Sequence, residues 1–284
     1  MDLMLSYALL AALMYAIPLV LADSLSKRMV RKVGAYRLGT IMLAIGFIPA
    51  IIAAVIVGVD PISMYSASLA VITGFAISVG YVLFYKTMET EQISNSIALS
   101  ELSAATFVIF GFVVFGESIG LIGAIGVITV FIGAGLVAIT EELKFNRKLI
   151  PATAAFIVWA AGFIVFAYSI KTSGTFAMPL IIVKLTALLS FAFVARFAGF
   201  RKPSEKLRSH ATGIITTGLF DGTGTAAFGL VTMLAAIGLT GVINAVTPVL
   251  AAIIGYRYYK ERFTKLQLTG FIIMVAGALV VSVA

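Results

Sequence analysis

An all-α integral membrane fold is predicted, ten transmembrane helices arranged as two inverted five-helix repeats, and three observations predict it. The first is composition: 61% of the 284 residues are hydrophobic and only 11% are charged, with a mean hydropathy of +1.13. Soluble domains carry about 25% charged residues, so this chain lacks the polar groups needed to cover a globular surface in water. The second is a set of about ten apolar runs, each long enough to cross a hydrocarbon core about 30 Å thick at 1.5 Å per residue. The third is a duplication in which sequence repeats and charge reverses.

Hydropathy and loop signals place the spans near 3–22, 36–58, 66–87, 93–115, 119–140, 151–171, 175–195, 211–235, 239–258 and 265–283. They leave short loops and tails, with no room for a soluble catalytic domain. No basic segment precedes Leu3 and no convincing small-residue cleavage site follows the first run, which therefore reads as a retained helix. Cysteine is absent and His210 is the sole histidine, which excludes disulfides, zinc sites, haem ligation and histidine-based triads. Neither a metal nor a cofactor is expected.

The net charge of +8 points to topology rather than to nucleic acid. The odd-numbered loops hold 18 of the 20 Lys and Arg residues, among them Lys27, Arg28, Arg31 and Lys32 in the first and Arg201, Lys202, Lys206 and Arg208 in the seventh. The even-numbered loops hold only Lys171, and Lys184 lies inside a span. By the positive-inside rule the odd loops face the cytoplasm and both termini lie outside the cell membrane.

Searching for repeats, the second half lies over the first at an offset of 144. Tyr15 pairs with Trp159 and Lys27 with Lys171 in spans one and six; Gly74 pairs with Gly218, Gly80 with Gly224 and Phe84 with Phe228 in spans three and eight. Glu117 pairs with Glu261, Gly126 with Gly270 and Gly133 with Gly277 in spans five and ten. The register slips by about three residues in spans two and seven, where Arg37 would face Lys184. The repeats are read as 1–145 and 146–284. An odd number of spans per repeat makes the second copy enter the membrane from the opposite side, and basic loops seven and nine facing their nearly bare counterparts two and four agree.

Each half closes with a Glu at its fourth-to-fifth span junction, FGES at 115–118 and YKER at 259–262, followed by a Gly-spaced last helix. With ten short-looped helices in a five-plus-five duplication, the whole chain resembles the drug/metabolite transporter superfamily, EamA-like branch. The resemblance implies export or exchange of small metabolites, amino acids among them, through a central cavity bordered mainly by spans one, three, four, six, eight and nine. The family's Pro in the ninth span stands here as Pro248; its counterpart in the fourth is Ala104, and Glu101 sits one turn away where the family is apolar.

Candidate functional residues lie on polar stripes. Ser96, Ser100 and Ser103 fall at i, i+4 and i+7 in the fourth span, and Thr240, Asn244 and Thr247 repeat them in the ninth. Helix packing accounts for such a stripe as well as a cavity lining does, and the duplication favours the lining. Thr217, Asp221 and Thr225 form a third stripe at i, i+4 and i+8, beside Gly218, Gly222 and Gly224. Asp221, Glu101 and Lys184 lie at depths where a charge costs about 2.5–3.5 kcal/mol, so each must be paired, protonated or wet. They read either as an ion pair that fixes packing or as a binding centre, Lys184 meeting an anionic substrate group and Asp221 or Glu101 a cationic group or a proton, in one water-filled cavity. Tyr15, Trp159, Tyr81 and Tyr85 could stack on a substrate or serve as packing. Asp23 and Arg37 read as interfacial partners, Glu117 and Glu261 as N-terminal caps of the helices that follow them. Gly120, Gly123 and Gly126, with Gly270 and Gly277, read as close helix contacts.

A carrier of small polar metabolites, proton-coupled or exchanging, is the function these features support, as a monomer or weak homodimer in the lipid bilayer. A channel shares the polar lining but not the need for an inverted repeat. A membrane enzyme would require a nucleophile with its base, an HExxH-like ligand set or clustered aspartates, none of which is present. A retinal protein would use a mid-helix lysine, but ten spans and a repeat argue against it.

Overall fold

The computed structural model describes residues 3–89, 113, 116, 120–138, 147, 150–200, 205–234 and 247–282. Within these the secondary structure is helical: α1 Leu3–Val33, α2 Ala35–Ile45, α3 Phe47–Val57, α4 Met64–Met88, α5 Leu121–Ala138, α6 Ile150–Ser173, α7 Ala177–Val194, α8 Ala211–Leu234 after a 3-10 turn at Leu207–His210, α9 Thr247–Tyr259 and α10 Lys265–Ser282. Among the described residues five helical segments are long and apolar enough to cross a membrane: Ala35–Val57, Met64–Met88, Ile150–Ser173, Ala177–Val194 and Leu207–Leu234. Leu121–Val137 and Lys265–Gly277 are apolar but shorter. The expected fourth span lies largely outside the described residues, and the ninth is described only as α9.

Several boundaries depart from the hydropathy reading for local reasons. The first helix does not stop where its apolar run stops near residue 22. It continues through the basic segment to Val33, because no breaker intervenes before Gly34 at φ +82° and because Arg31 and Lys32 sit in the last turn, where the helix dipole favours cations. The second span is two helices. Gly46 interrupts it at φ −59°, ψ −11°, keeping enough helical geometry that its N–H still reaches Met42 O at 2.8 Å. At α10 the cap is not Glu261. Thr264 and Gln267 form a reciprocal box, Gln267 N–H donating to Thr264 Oγ1 and Thr264 N–H to Gln267 Oε1, both at 3.1 Å. Glu261 precedes the helix by a turn and is buried, and its N–H bonds Gly255 O.

Packing follows the duplication. The tightest helix pairs are α5 with α10, α4 with α6, and α1 with α8. Exchanging the halves at the 144-residue offset turns the second pair into the third and leaves the first unchanged. The close approaches exchange too. A Cβ on Gly133 would meet Gly270 O and Met274, and one on Gly277 would meet Gly126 O and Val130. A Cβ on Gly80 would strike Trp159, and one on Gly224 would reach Tyr15 O, Tyr15 being the counterpart of Trp159. Small residues admit such contacts because lipid supplies no hydrophobic drive between helices and backbone proximity must supply dispersion instead. Gly120, by contrast, meets nothing within 4 Å. In spans two and seven the correspondence differs from the sequence alignment: Gly74 abuts Val183 O and Thr186 while Gly218 abuts Met42 O and Ile45, an offset of 141 that sets Leu43 rather than Arg37 opposite Lys184.

The basic end of α1 is fastened to the entrance of α8. Glu205 N–H bonds Lys32 O at 3.0 Å, and the Glu205 carboxylate meets Lys32 Nζ at 3.1 Å and His210 Nε2 at 2.5 Å. The hydrogen bonds from His210 and then Lys32 hold this exposed carboxyl below its ordinary range.

Candidate functional site

The stripe on α8 supplies the floor of a buried polar centre. Thr217 and Thr225 satisfy themselves on the preceding turn, Thr217 Oγ1 donating to Gly213 O at 2.7 Å and Thr225 Oγ1 to Asp221 O at 2.8 Å. Asp221 uses both of its oxygens. Lys184, from α7, donates to Oδ2 at 2.7 Å and to Thr225 Oγ1 at 2.8 Å, while the Tyr81 hydroxyl from α4 donates to Oδ1. Lys184 and Asp221 are 1% and 2% exposed. The two side chains meet directly and are almost wholly enclosed by protein. At such burial the charges are tolerated only because each neutralises the other and the remaining lone pairs and protons find partners.

Aromatic residues wall this centre. Trp159 from α6 packs edge-on to Tyr81 at 5.0 Å and donates Nε1–H to Ile77 O at 3.1 Å, in space that Gly80 leaves open. Phe84 and Phe156 stand 5.2 Å from the same indole. Tyr85 lies 5.5 Å from Tyr81 and turns its hydroxyl to Met42 Sδ at 3.1 Å. Four of the sequence candidates are thus joined in one hydrogen-bonded network, Lys184, Asp221, Thr225 and Tyr81, with Trp159 against it. Two are not: Thr217 bonds its own helix, and Tyr15 packs on Phe163 and Phe228. Glu101, Ser96, Ser100, Thr240 and Asn244 lie outside the described residues.

The sequence reading missed Asp23. It is set down there as an interfacial group, yet in the structure it is half-buried and interacts electrostatically with Asp221, Tyr81 and Tyr85. The reason is the length of α1. Because the helix runs to Val33, Asp23 stands inside the bundle and not at its edge. The readable signal was Asp23 and Ser26 at i and i+3, a polar face continuing past the apolar run.

Comparison with known proteins bears on what surrounds this centre. No curated protein matches the chain. A solved structure described only as "Crystal structure of protein" superposes with a TM-score of 0.69 at 16% identity, over 96% of each chain, and shares the fold. The sequence model of the EamA-like transporter family matches twice, at residues 3–139 and 147–283, once per half. With nearly the whole chain covered by two such matches, this multi-pass membrane protein belongs to the EamA-like transporter family.

Proposed function

We propose that the protein is a secondary carrier of small polar metabolites such as amino acids, working by alternating access between two inverted five-helix halves of ten transmembrane helices in all. One observation carries the reading: a buried network of Lys184, Asp221, Tyr81 and Thr225 built from both halves, Tyr81 from the first and the others from the second. Ionisable groups at such depth are expensive and mark substrate or ion pathways in membrane proteins. A lysine and carboxylates side by side complement a solute bearing both an anionic and a cationic end. Inverted repeats support the mechanism, because exchanging the conformations of the two halves converts an inward-open state into an outward-open one. The test is counterflow into proteoliposomes loaded with amino acids, amines or phosphorylated metabolites. Saturable uptake stimulated by internal solute is expected; unsaturable flux with single-channel conductance would favour a channel.

Two further expectations belong to this reading. The polar stripes of the fourth and ninth spans line the path, so Ser100→Ala and Asn244→Ala should each weaken apparent substrate affinity or turnover about tenfold with little change in thermal stability. Loss of stability alone, with wild-type affinity and turnover, would reduce the stripes to helix packing. The second concerns orientation. With no native cysteine, Ser204→Cys and Ser282→Cys are clean single probes. An impermeant thiol reagent applied to intact cells should label Ser282→Cys and spare Ser204→Cys; the reverse pattern would invert the topology.

A further inference from the structure

Two helix pairs join the halves closely, α1 with α8 and α4 with α6, and each pair is clasped at an end. α1 runs antiparallel against α8, with Leu19 at Gly224 and Met29 at Gly213. Where α1 ends, the Glu205 carboxylate takes Lys32 Nζ at 3.1 Å and His210 Nε2, at the entrance of α8, at 2.5 Å, while Glu205 N–H donates to Lys32 O at 3.0 Å. A second helix of the first half holds the same connection between α7 and α8. Lys86, in the last turn of α4, donates to Gly199 O at 2.8 Å and stands 5.7 Å from the Phe200 ring.

Exchanging the halves carries this clasp onto the pair α4–α6, where the chemistry is different. His210 corresponds to Ser66 at the offset of 144. Ser169 Oγ of α6 donates to Ser66 O at 2.8 Å, and the Ser66 and Thr172 hydroxyls meet at 2.9 Å. Because α4 starts at Ser66 and ends near Lys86, the two clasps lie at opposite ends of the bundle. One is made of hydroxyls and a backbone carbonyl, with Ser66 and Ser169 fully buried; the other is ionic, and Lys32 and Glu205 are 31% and 42% exposed. That exposure decides what each charged group can do. Lys184 and Asp221 cannot part without stranding two ions in a dry interior, whereas Lys32, Glu205 and His210 exchange one another for water at small net cost. Two charge-assisted bonds converging on one carboxylate still hold better than a lone surface pair. Such a contact is strong enough to close a bundle and weak enough to be broken and remade in each cycle.

We propose that Glu205, with Lys32 and His210, is an ionic gate of the carrier at its basic end, released when α1 and α8 part while the Ser66–Ser169–Thr172 clasp at the other end stays shut. This deepens the carrier reading and rests on it. Two buried positions can report the two ends separately. Ser26 lies seven residues after Leu19 and three before Met29, so it faces α8 behind the ionic clasp, and it is 1% exposed. Thr73 lies seven residues after Ser66 and is fully buried behind the neutral clasp, its Oγ1 donating to Gly162 O of α6 at 3.1 Å. With no native cysteine, Ser26→Cys and Thr73→Cys each give a single thiol. The rate of N-ethylmaleimide modification would be followed for each in purified protein in lipid nanodiscs, with and without Glu205→Gln. Reaction at a buried thiol follows local opening, so Glu205→Gln should accelerate the Ser26→Cys probe by about tenfold or more and leave the Thr73→Cys probe within about twofold. A smaller acceleration at the first probe, or a parallel rise at both, overturns the gate, the second because it signals general loosening. Should Glu205→Gln not fold, Lys32→Gln takes its place under the same criterion. Modification is read without flux, so the two claims separate: selective acceleration at Ser26→Cys without counterflow of any solute by the wild type retires the carrier, and counterflow without that acceleration retires the gate.

Discussion

Replacing Lys184 by Met, or Asp221 by Leu, is expected to cost about 3–5 kcal/mol of folding stability, and replacing both is expected to return most of it. Either single change leaves an ion at 1–2% exposure with no counter-charge, where the interior cannot solvate it. The double change leaves no ion at all. Recovery should stop short by about 1–3 kcal/mol, since the Tyr81 hydroxyl then loses the Asp221 oxygen it donates to, and adding Tyr81→Phe should recover that remainder. Unfolding in detergent measures this ladder. Counterflow on the same variants separates packing from function: a double variant that folds and does not transport places the pair in the carrier's binding machinery. Full transport by the double variant would reduce it to a structural neutralisation. Singles as stable as wild type would mean that the charges are solvated after all.

What could be read from the chain divides along physical lines. The helical membrane class and the duplication were legible because each rests on sums over many residues, and a composition or a repeat offset survives local exceptions. Lys184 and Asp221 were legible individually because a charge in an apolar run has few tolerable fates. Their bonding to each other was an inference from cost, and the Tyr81 contact was not readable at all, since a tyrosine in a span is as much an apolar body as a donor. Asp23 was lost for a different reason. Hydropathy locates the end of the apolar run, whereas helix ends are set by breakers such as Gly34, and the eleven residues between Ala22 and Gly34 are helical without being apolar. The cap of α10 is legible as Thr264 to Gln267, a T-x-x-Q signature, although the repeat and the family draw the eye to Glu261 one turn earlier.

Gly222→Ala is expected to be disproportionately damaging for the addition of one methyl group. Its Cβ would stand 2.4 Å from Gly46 O and 2.8 Å from Gly46 Cα, both backbone atoms that no rotamer change can move. The α2–α3 junction must therefore shift away from α8, an overpacking cost of about 1–3 kcal/mol. The displacement does not stay local, because the Gly46 side of the same contact faces the buried centre: a Cβ on Gly46 would come within 2.9 Å of Asp221 Oδ2, the oxygen that Lys184 holds. Gly222→Ala and Gly46→Ala should thus each lower stability and cut transport by more than tenfold, with Gly46→Ala the more selective for transport. Gly135→Ala is the matched control. Gly135 is helical and exposed with nothing within 4 Å of its Cβ position, so relief of backbone entropy should stabilise that variant by roughly 0.5–1 kcal/mol without touching transport. If Gly222→Ala and Gly135→Ala prove indistinguishable in unfolding and in counterflow, the junction at Gly46 is not packed as described, and Asp221 is not held in place by it.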